Sequence, residues 1–550
     1  MQYSSREKMN SQEMIQNVMD AYKLYEEGKY REASQSACKV LSSNLTDNTV
    51  LLNCSGILID SGGILKDISL IRKGAEQIQA LLQSIDSSDY ALKGLCEYNL
   101  SNGYCEEATL LDKQREKEKI DELLNKQKQC LQNSLLLSKH LDVDLRSRIL
   151  NNYGRLLSRF GREVEAIDYL YDCLNLAPKH AVAMCNCSSS LQKMVNLSQK
   201  HNYRIAYEFW HLMHEASKLQ DEFIIFAGTE MYENCLNSVK GIEEYFALTH
   251  SSGLEGIKND FLSFESHHTS WVPSPELKQM GQDRLLLTVN PRLSKCVDHY
   301  RDDVCFESIV SALNEEGEQR FQRLANAFNH IKEDFATARY LYYQSCYVSE
   351  EINQLSSVTY YIQTNNYEDF GLKTGFLKTS FRLAADLLDK CAGFINLYLE
   401  LDHPEDQVTL NNVWYVKRDR RKGLHSIVNS LISKNPFLFA LKDLNSDLYR
   451  GHYPAPVRDL RNDATHKRLV LSLYGSFSEY DETLDYDEFK ETVLLLLRMA
   501  KAATIYLVGM VHLNEEKNQE DRNNSGTDGQ VAPLSFQVDF GLSDQLSFSE

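Results

Sequence analysis

The sequence predicts an all-α chain with an N-terminal solenoid of helix pairs, a mixed connector and a C-terminal four-helix bundle. Three observations predict it. Only nine prolines occur in 550 residues, which leaves room for long helices. Small residues recur twelve apart in the first third, from Gly154 to Ala166, and Pro178 follows twelve later. From Leu377 the apolar positions run Phe381, Ala384, Leu388, Cys391, Ile395 and Tyr398, alternating steps of four and three as one buried helical stripe requires.

The repeats come first in the chain. Ser147 to Pro178 carries Leu150, Tyr153, Gly154 and Leu157, a turn at Gly161, then Ala166, Leu170 and Cys173 before the closing proline. This spacing resembles the tetratricopeptide repeat, in which small residues let two helices cross closely and a proline ends the second. A second copy starts near Met14, with Ala21, Leu24, Gly28-Lys29-Tyr30 at the turn and Ala33 twelve after Ala21. Weaker copies run from Leu51 to Leu82 and from Tyr98 to Leu137, the latter with a charged insertion at Lys113 to Lys119. Stacked helix pairs cover one another's apolar faces and leave a concave surface suited to a protein or peptide partner. A plain helical scaffold with no ligand is the alternative, because such patterns specify a fold and not a function.

The repeats are assigned residues 1–250, and helical patterning continues without landmarks from Arg204 to Leu248. Residues 251–315 read as a connector, since Gly253, Gly256, Pro273, Pro275 and Pro291 interrupt the pattern and Leu285 to Val289 is β-like. Residues 316–366 form a linking helix, with Phe321, Leu324, Phe328, Ile331 and Phe335 on one face. The bundle takes 367–513: the stripe from Leu377, a helix from about Leu424 to Tyr449 broken at Asn435-Pro436, a third after Pro454 and Pro456, and a fourth from Glu488 to His512. The polar tail 514–550 is expected to be disordered.

Composition excludes several classes. With 43% hydrophobic and 25% charged residues the chain is neither collagenous nor wholly disordered. Its 13 cysteines are scattered through apolar helical patterns and imply no disulfide framework. Neither Cys185 with Cys187 nor His267 with His268 has the companions a metal site needs. Met1 to Glu13 has no apolar run of a secretory signal, so a cytoplasmic location is expected. Val493 to Val511 is interrupted by Arg498 and Lys501 and reads as a buried helix, with no membrane partner.

Charge singles out one region. Lys and Arg number 59 against 78 Asp and Glu, a net −19 that argues against broad nucleic-acid binding. From Asn411 to Val470 the balance reverses to 12 against 5, so an anionic ligand is expected locally. Within this window lies Val457-Arg458-Asp459-Leu460-Arg461-Asn462-Asp463-Ala464-Thr465-His466-Lys467-Arg468. Asn462 and His466 are four apart and share a helical face. Arg461 and His466 are five apart, about 140° around an ideal helix, and converge only at a frayed start or across a dimer. Spacing alone proves nothing, since Arg420 and His425 repeat it in a basic loop.

Context gives the motif weight. Phe376-Leu377-Lys378-Thr379-Ser380-Phe381-Arg382-Leu383-Ala384 with Leu388-Asp389-Lys390, then Asn435-Pro436-Phe437-Leu438-Phe439-Ala440-Leu441 and Asp447-Leu448-Tyr449, precede it. Together they resemble the HEPN superfamily (higher eukaryote and prokaryote nucleotide-binding), in a bacterial branch that carries tetratricopeptide repeats before the HEPN bundle. The resemblance covers Tyr367 to His512 well, the repeats in general terms, and Gly253 to Cys305 poorly.

The resemblance implies an endoribonuclease of toxin or antiviral-defence type that uses neither metal nor cofactor. His466 would be the general acid or base, Arg461 would hold the scissile phosphate, and Asn462 would orient the phosphate or the imidazole. Arg458, Lys467 and Arg468 would contact the RNA backbone. HEPN nucleases pool motif residues from two copies, so a homodimer through the C-terminal bundle is implied, with the repeats sensing a partner or restraining the nuclease. The competing reading is a noncatalytic adaptor that uses the repeats for proteins and the bundle for dimerisation. Nucleotidyl transfer fits less well, because no Gly-Ser pair is followed by spaced aspartates.

Overall fold

A computed structural model describes residues 11–42, 47–86, 88–195, 202–267, 273–289, 292, 302–306, 308–312, 315–347, 350–362, 368–450, 469–472, 483–525 and 531–535. The chain divides into two compact units, Met1–Leu156 with Asp168–Ala183, and Leu157–Ile167 with Met184–Glu550.

The first unit is a succession of helices: α1 (Ser11–Glu26), α2 (Tyr30–Leu41), α3 (Asn48–Leu65), α4 (Ile68–Ser84), α5 (Tyr90–Leu110) and α6 (Lys117–Leu136), with parts of α7 (Val143–Arg159) and α8 (Glu163–Leu176). From α1 to α6 each packs on the next, the arrangement expected of stacked pairs. Ala21, Ala33 and Ala37 are fully buried in the first of these contacts, which explains the small residues there. Asp47 and Asp67 start α3 and α4 by accepting the backbone N–H groups of Thr49 and Ser69, both at 2.9 Å. At Gly74 a β-carbon would stand 2.6 Å from the Ser55 carbonyl oxygen, so α3 and α4 approach as closely as glycine permits. In the best repeat, α7 and α8 fall on either side of Gly161, with Tyr153, Leu157, Ala166, Leu170 and Cys173 buried.

The second unit holds most of α9 (Ala181–Met194), α10 (Asn202–Ser217), α11 (Gln220–Thr249), α12 (Gly253–His267) and α13 (Pro275–Gln282). After β1 (Ser308–Ala312) come α14 (Glu315–Cys346), α15 (Glu350–Ser357), α16 (Leu372–Tyr398), α17 (Ser426–Leu431) and α18 (Pro436–Arg450). The strands β2 (Val470–Ser472) and β3 (Thr483–Asp485), the long α19 (Tyr486–Ser525) and β4 (Val531–Ser535) complete it.

Its centre is a bundle in which α14, α16 and α19 pack on one another and α18 packs on α19. Every residue of the four-and-three stripe on α16 is buried. Phe381 meets Phe489 with ring centroids 5.3 Å apart, Ser380 donates to the Ala338 carbonyl (2.8 Å), and Tyr398 donates to Glu515 (2.7 Å). The most apolar window of α19 has the length and hydropathy of a membrane span, yet 83% of it is buried inside the protein. It is the core helix that the interrupting Arg498 and Lys501 predict.

Four sequence expectations are revised. The helix read as a linker is α14, a full member of the bundle. Much of the connector is helical, as α12 and α13, although it also holds one short strand, β1. Leu285 to Val289 forms no strand, although Leu285, Leu286 and Leu287 are buried. Its backbone groups are satisfied otherwise: Leu287 N–H donates to Asp302 (2.8 Å), Leu285 N–H to the Met280 carbonyl (2.8 Å), and Arg339 donates to the Leu285 carbonyl (3.0 Å). The tail is structured in part, because α19 continues to Ser525 and β4 pairs antiparallel with β1, Ser308 opposite Ser535.

Candidate active site

The residues the sequence singles out, Arg458, Arg461, Asn462, His466, Lys467 and Arg468, lie outside the described residues. The elements on either side of them are well defined. Upstream stands α18, whose first turn is fixed by Asn435: its side-chain Oδ1 accepts the N–H groups of Phe437 and Leu438 (both 3.1 Å). Its amide donates to the Met510 carbonyl (2.9 Å) and to Asn514 (3.0 Å) on α19. Pro436 follows at the first helical position, where its missing N–H costs nothing.

The buried face of α18 comprises Phe437, Leu438, Ala440, Leu441, Leu444 and Leu448. Each large side chain among them contributes roughly 1.5–3 kcal/mol by leaving water. Phe437 lies flat against α19 at Gly509, where a β-carbon would come within 2.7 Å of the ring.

The same helix carries two buried carboxylates, Asp443 and Asp447. Both accept from the Arg162 guanidinium, Asp443 at 3.0 Å, and Glu165 accepts from its other edge. Burial alone would lower the basicity of Arg162, but the carboxylates of Glu165, Asp447 and Asp443 outweigh it and raise the guanidinium well above its ordinary value. Tyr506 on α19 closes the cluster, donating to Glu165 (3.3 Å) and accepting the Val164 N–H (3.2 Å). Burial, reinforced by Glu165, drives the Tyr506 phenol well above its usual range. The sequence contains one signal of this network, since two aspartates four apart on an apolar stripe demand a cation. It does not say which, because Arg162 stands 281 residues before Asp443.

Downstream of the motif, β2 pairs in parallel with β3 and forms an antiparallel bridge from Ser472 to Glu368. Asp369 N–H donates to the Leu471 carbonyl (2.8 Å), and Asp369 accepts from Thr374 at the start of α16 (2.6 Å). Tyr486, at the start of α19, is hydrogen-bonded to Ser345 on α14 (2.9 Å) and lies under the Lys373 ammonium, 4.4 Å from the ring centre. The described elements on either side of the motif segment are thus both joined to the bundle.

The control pair, Arg420 and His425, belongs to a hairpin between α16 and α17. A bridge joins Tyr415 and Leu424, Val416 N–H donates to the Gly423 carbonyl (3.1 Å), and His425 N–H donates to the Trp414 carbonyl (2.9 Å). Trp414 is fully buried and gives its indole N–H to Leu410 (2.6 Å). Arg420 is exposed at the tip, whereas the half-buried His425 ring meets His403 edge-on at the base.

The described residues also enclose a cavity of about 450 Å³, lined by Tyr203, Phe209, Tyr245 and Phe246 with His250 and Asp260.

Residues 316–514 match the LA2681-like HEPN family, a stretch that contains the whole motif segment, α16, α18, all but the first residue of α14, and α19 as far as Asn514. No curated protein matches the chain.

Proposed function

We propose, from the HEPN domain at residues 316–514, that the protein is a metal-independent endoribonuclease of toxin or antiviral-defence type. The observation that carries this reading is the position of Arg461-Asn462 and His466 in the sequence, inside the matched stretch and between α18 and α19. In the proposed reaction a base removes the proton of an RNA 2′-hydroxyl, whose oxygen attacks the adjacent phosphorus. The 5′-oxygen leaves with a proton, and a 2′,3′-cyclic phosphate remains. His466 moves a proton in this exchange, a role suited to imidazole as the side chain that ordinarily gains and loses a proton near neutral pH. Arg461 stabilises the charge on the non-bridging oxygens through its planar fork, and Asn462 positions the phosphate or His466. Arg458, Lys467 and Arg468 hold the RNA backbone. Two copies assemble one groove, and the N-terminal helical repeats restrain or trigger it by binding a protein or peptide.

Cleavage of mixed cellular RNA in EDTA tests the reading. The wild-type protein, alone or with infected-cell extract, should yield cyclic-phosphate ends, and His466→Ala should reduce the rate by at least roughly 100-fold. Equal RNA degradation by both proteins, or none by either with and without extract, would replace the nuclease with a noncatalytic adaptor.

A further inference from the structure

The hairpin from Tyr415 to His425 carries Lys417, Arg418, Arg420, Arg421 and Lys422, with Asp419 as its single acid. Such a run on a chain of net charge −19 invites a neutralising contact, yet little of one is present. Asp419 is committed to Arg421, receiving its backbone N–H and the Nε and Nη2 donors of its guanidinium, all at 3.1 Å. Arg418 donates to the neutral Gln407 (2.6 Å). Lys417, Arg420 and Lys422 are exposed, and their side chains make no hydrogen bond or ion pair among the described residues. Two acids of the preceding loop are already taken, Glu400 by Arg320 (2.8 Å) and Glu405 by Arg323 (2.6 Å).

The tip is also held in shape. Lys417 and Arg418 both adopt left-handed backbone angles, φ 52° and 59°, at a cost of order 1 kcal/mol or more each for residues with a β-carbon. The buried Trp414 and the Trp414–His425 hydrogen bond fix the base, so the cations are presented on a preorganised turn instead of a loose strand.

We propose that this hairpin binds the phosphate backbone of RNA through Lys417, Arg420 and Lys422. The choice of RNA as the polyanion rests on the nuclease reading; the anion-binding geometry does not. The hairpin precedes the segment that carries the reactive motif in the sequence and would hold the strand on which that motif acts.

The test is binding of a 2′-O-methyl RNA strand, which lacks the attacking hydroxyl, by the full chain across a salt series. Single strands lose about 0.7 in the slope of log affinity against log salt for each phosphate contact removed. The triple variant Lys417→Gln/Arg420→Gln/Lys422→Gln should therefore flatten the slope by about 2 and weaken binding more than tenfold at low salt. A charge-matched control, Lys113→Gln/Arg115→Gln/Lys117→Gln, should keep both slope and affinity. Equal behaviour of the two variants, an unchanged slope in the hairpin variant, or capture of poly-glutamate in place of the oligonucleotide would overturn the proposal. The two readings fail separately: loss of cleavage in His466→Ala tests the nuclease, whereas the salt slope of the hairpin variant tests the hairpin contact, so the two register in different assays.

Discussion

Arg162 shows how much one residue can hold in this protein. It is wholly buried and satisfies Glu165, Asp443 and Asp447, two of them on the helix that leads into the motif. Removing one side of a buried ion network leaves uncompensated charge, which costs about 3–5 kcal/mol. Arg162→Met should lower the urea midpoint of the second unit by a corresponding amount, and adding Asp443→Asn with Asp447→Asn should recover part of it. A loss below about 1 kcal/mol would mean that the carboxylates find other partners or water. Sequence reading could not reach this contact. The aspartates' spacing on α18 is a local pattern, whereas their partner is set by the fold.

At the scale of elements, legibility follows the range of the forces. The α16 stripe and the break at Asn435-Pro436 could be read because helical periodicity and capping act within a few residues. The membership of α14 in the bundle could not, since a single apolar face says that a helix is covered and not by what. Leu285 to Val289 departs from the expected strand for a related reason: a short apolar run is compatible with a strand or with buried coil, and only the distant Asp302 and Arg339 decide it. The motif could be read as a pattern in context, and its placement lies outside the described residues. Asn435 offers a direct check on how α18 is joined to α19. Asn435→Ala removes the cap and two inter-helix hydrogen bonds, so about 1–3 kcal/mol of stability should be lost in thermal unfolding. Asn435→Asp should restore the cap alone and recover only part of that loss.

For the whole molecule, the geometric problem posed by Arg461 and His466 becomes a question of assembly. Residues five apart on one helix face different directions, so a groove needing both is built more readily from two copies. This arrangement makes a prediction that a self-contained site does not share. Arg461→Ala and His466→Ala proteins, each inactive alone, form mixed dimers in which one groove receives the intact arginine from one chain and the intact histidine from the other. Half of randomly exchanged dimers are mixed, and each has one intact Arg461–His466 pair of the two in its groove, so activity should return to about a quarter of the wild-type value. Recovery should follow subunit exchange in time, measured as RNA cleavage against the appearance of mixed dimers by native mass spectrometry. If mixed dimers form and cleavage stays absent, both residues act within one chain, and the start of the motif helix must depart from ideal geometry enough to bring them together.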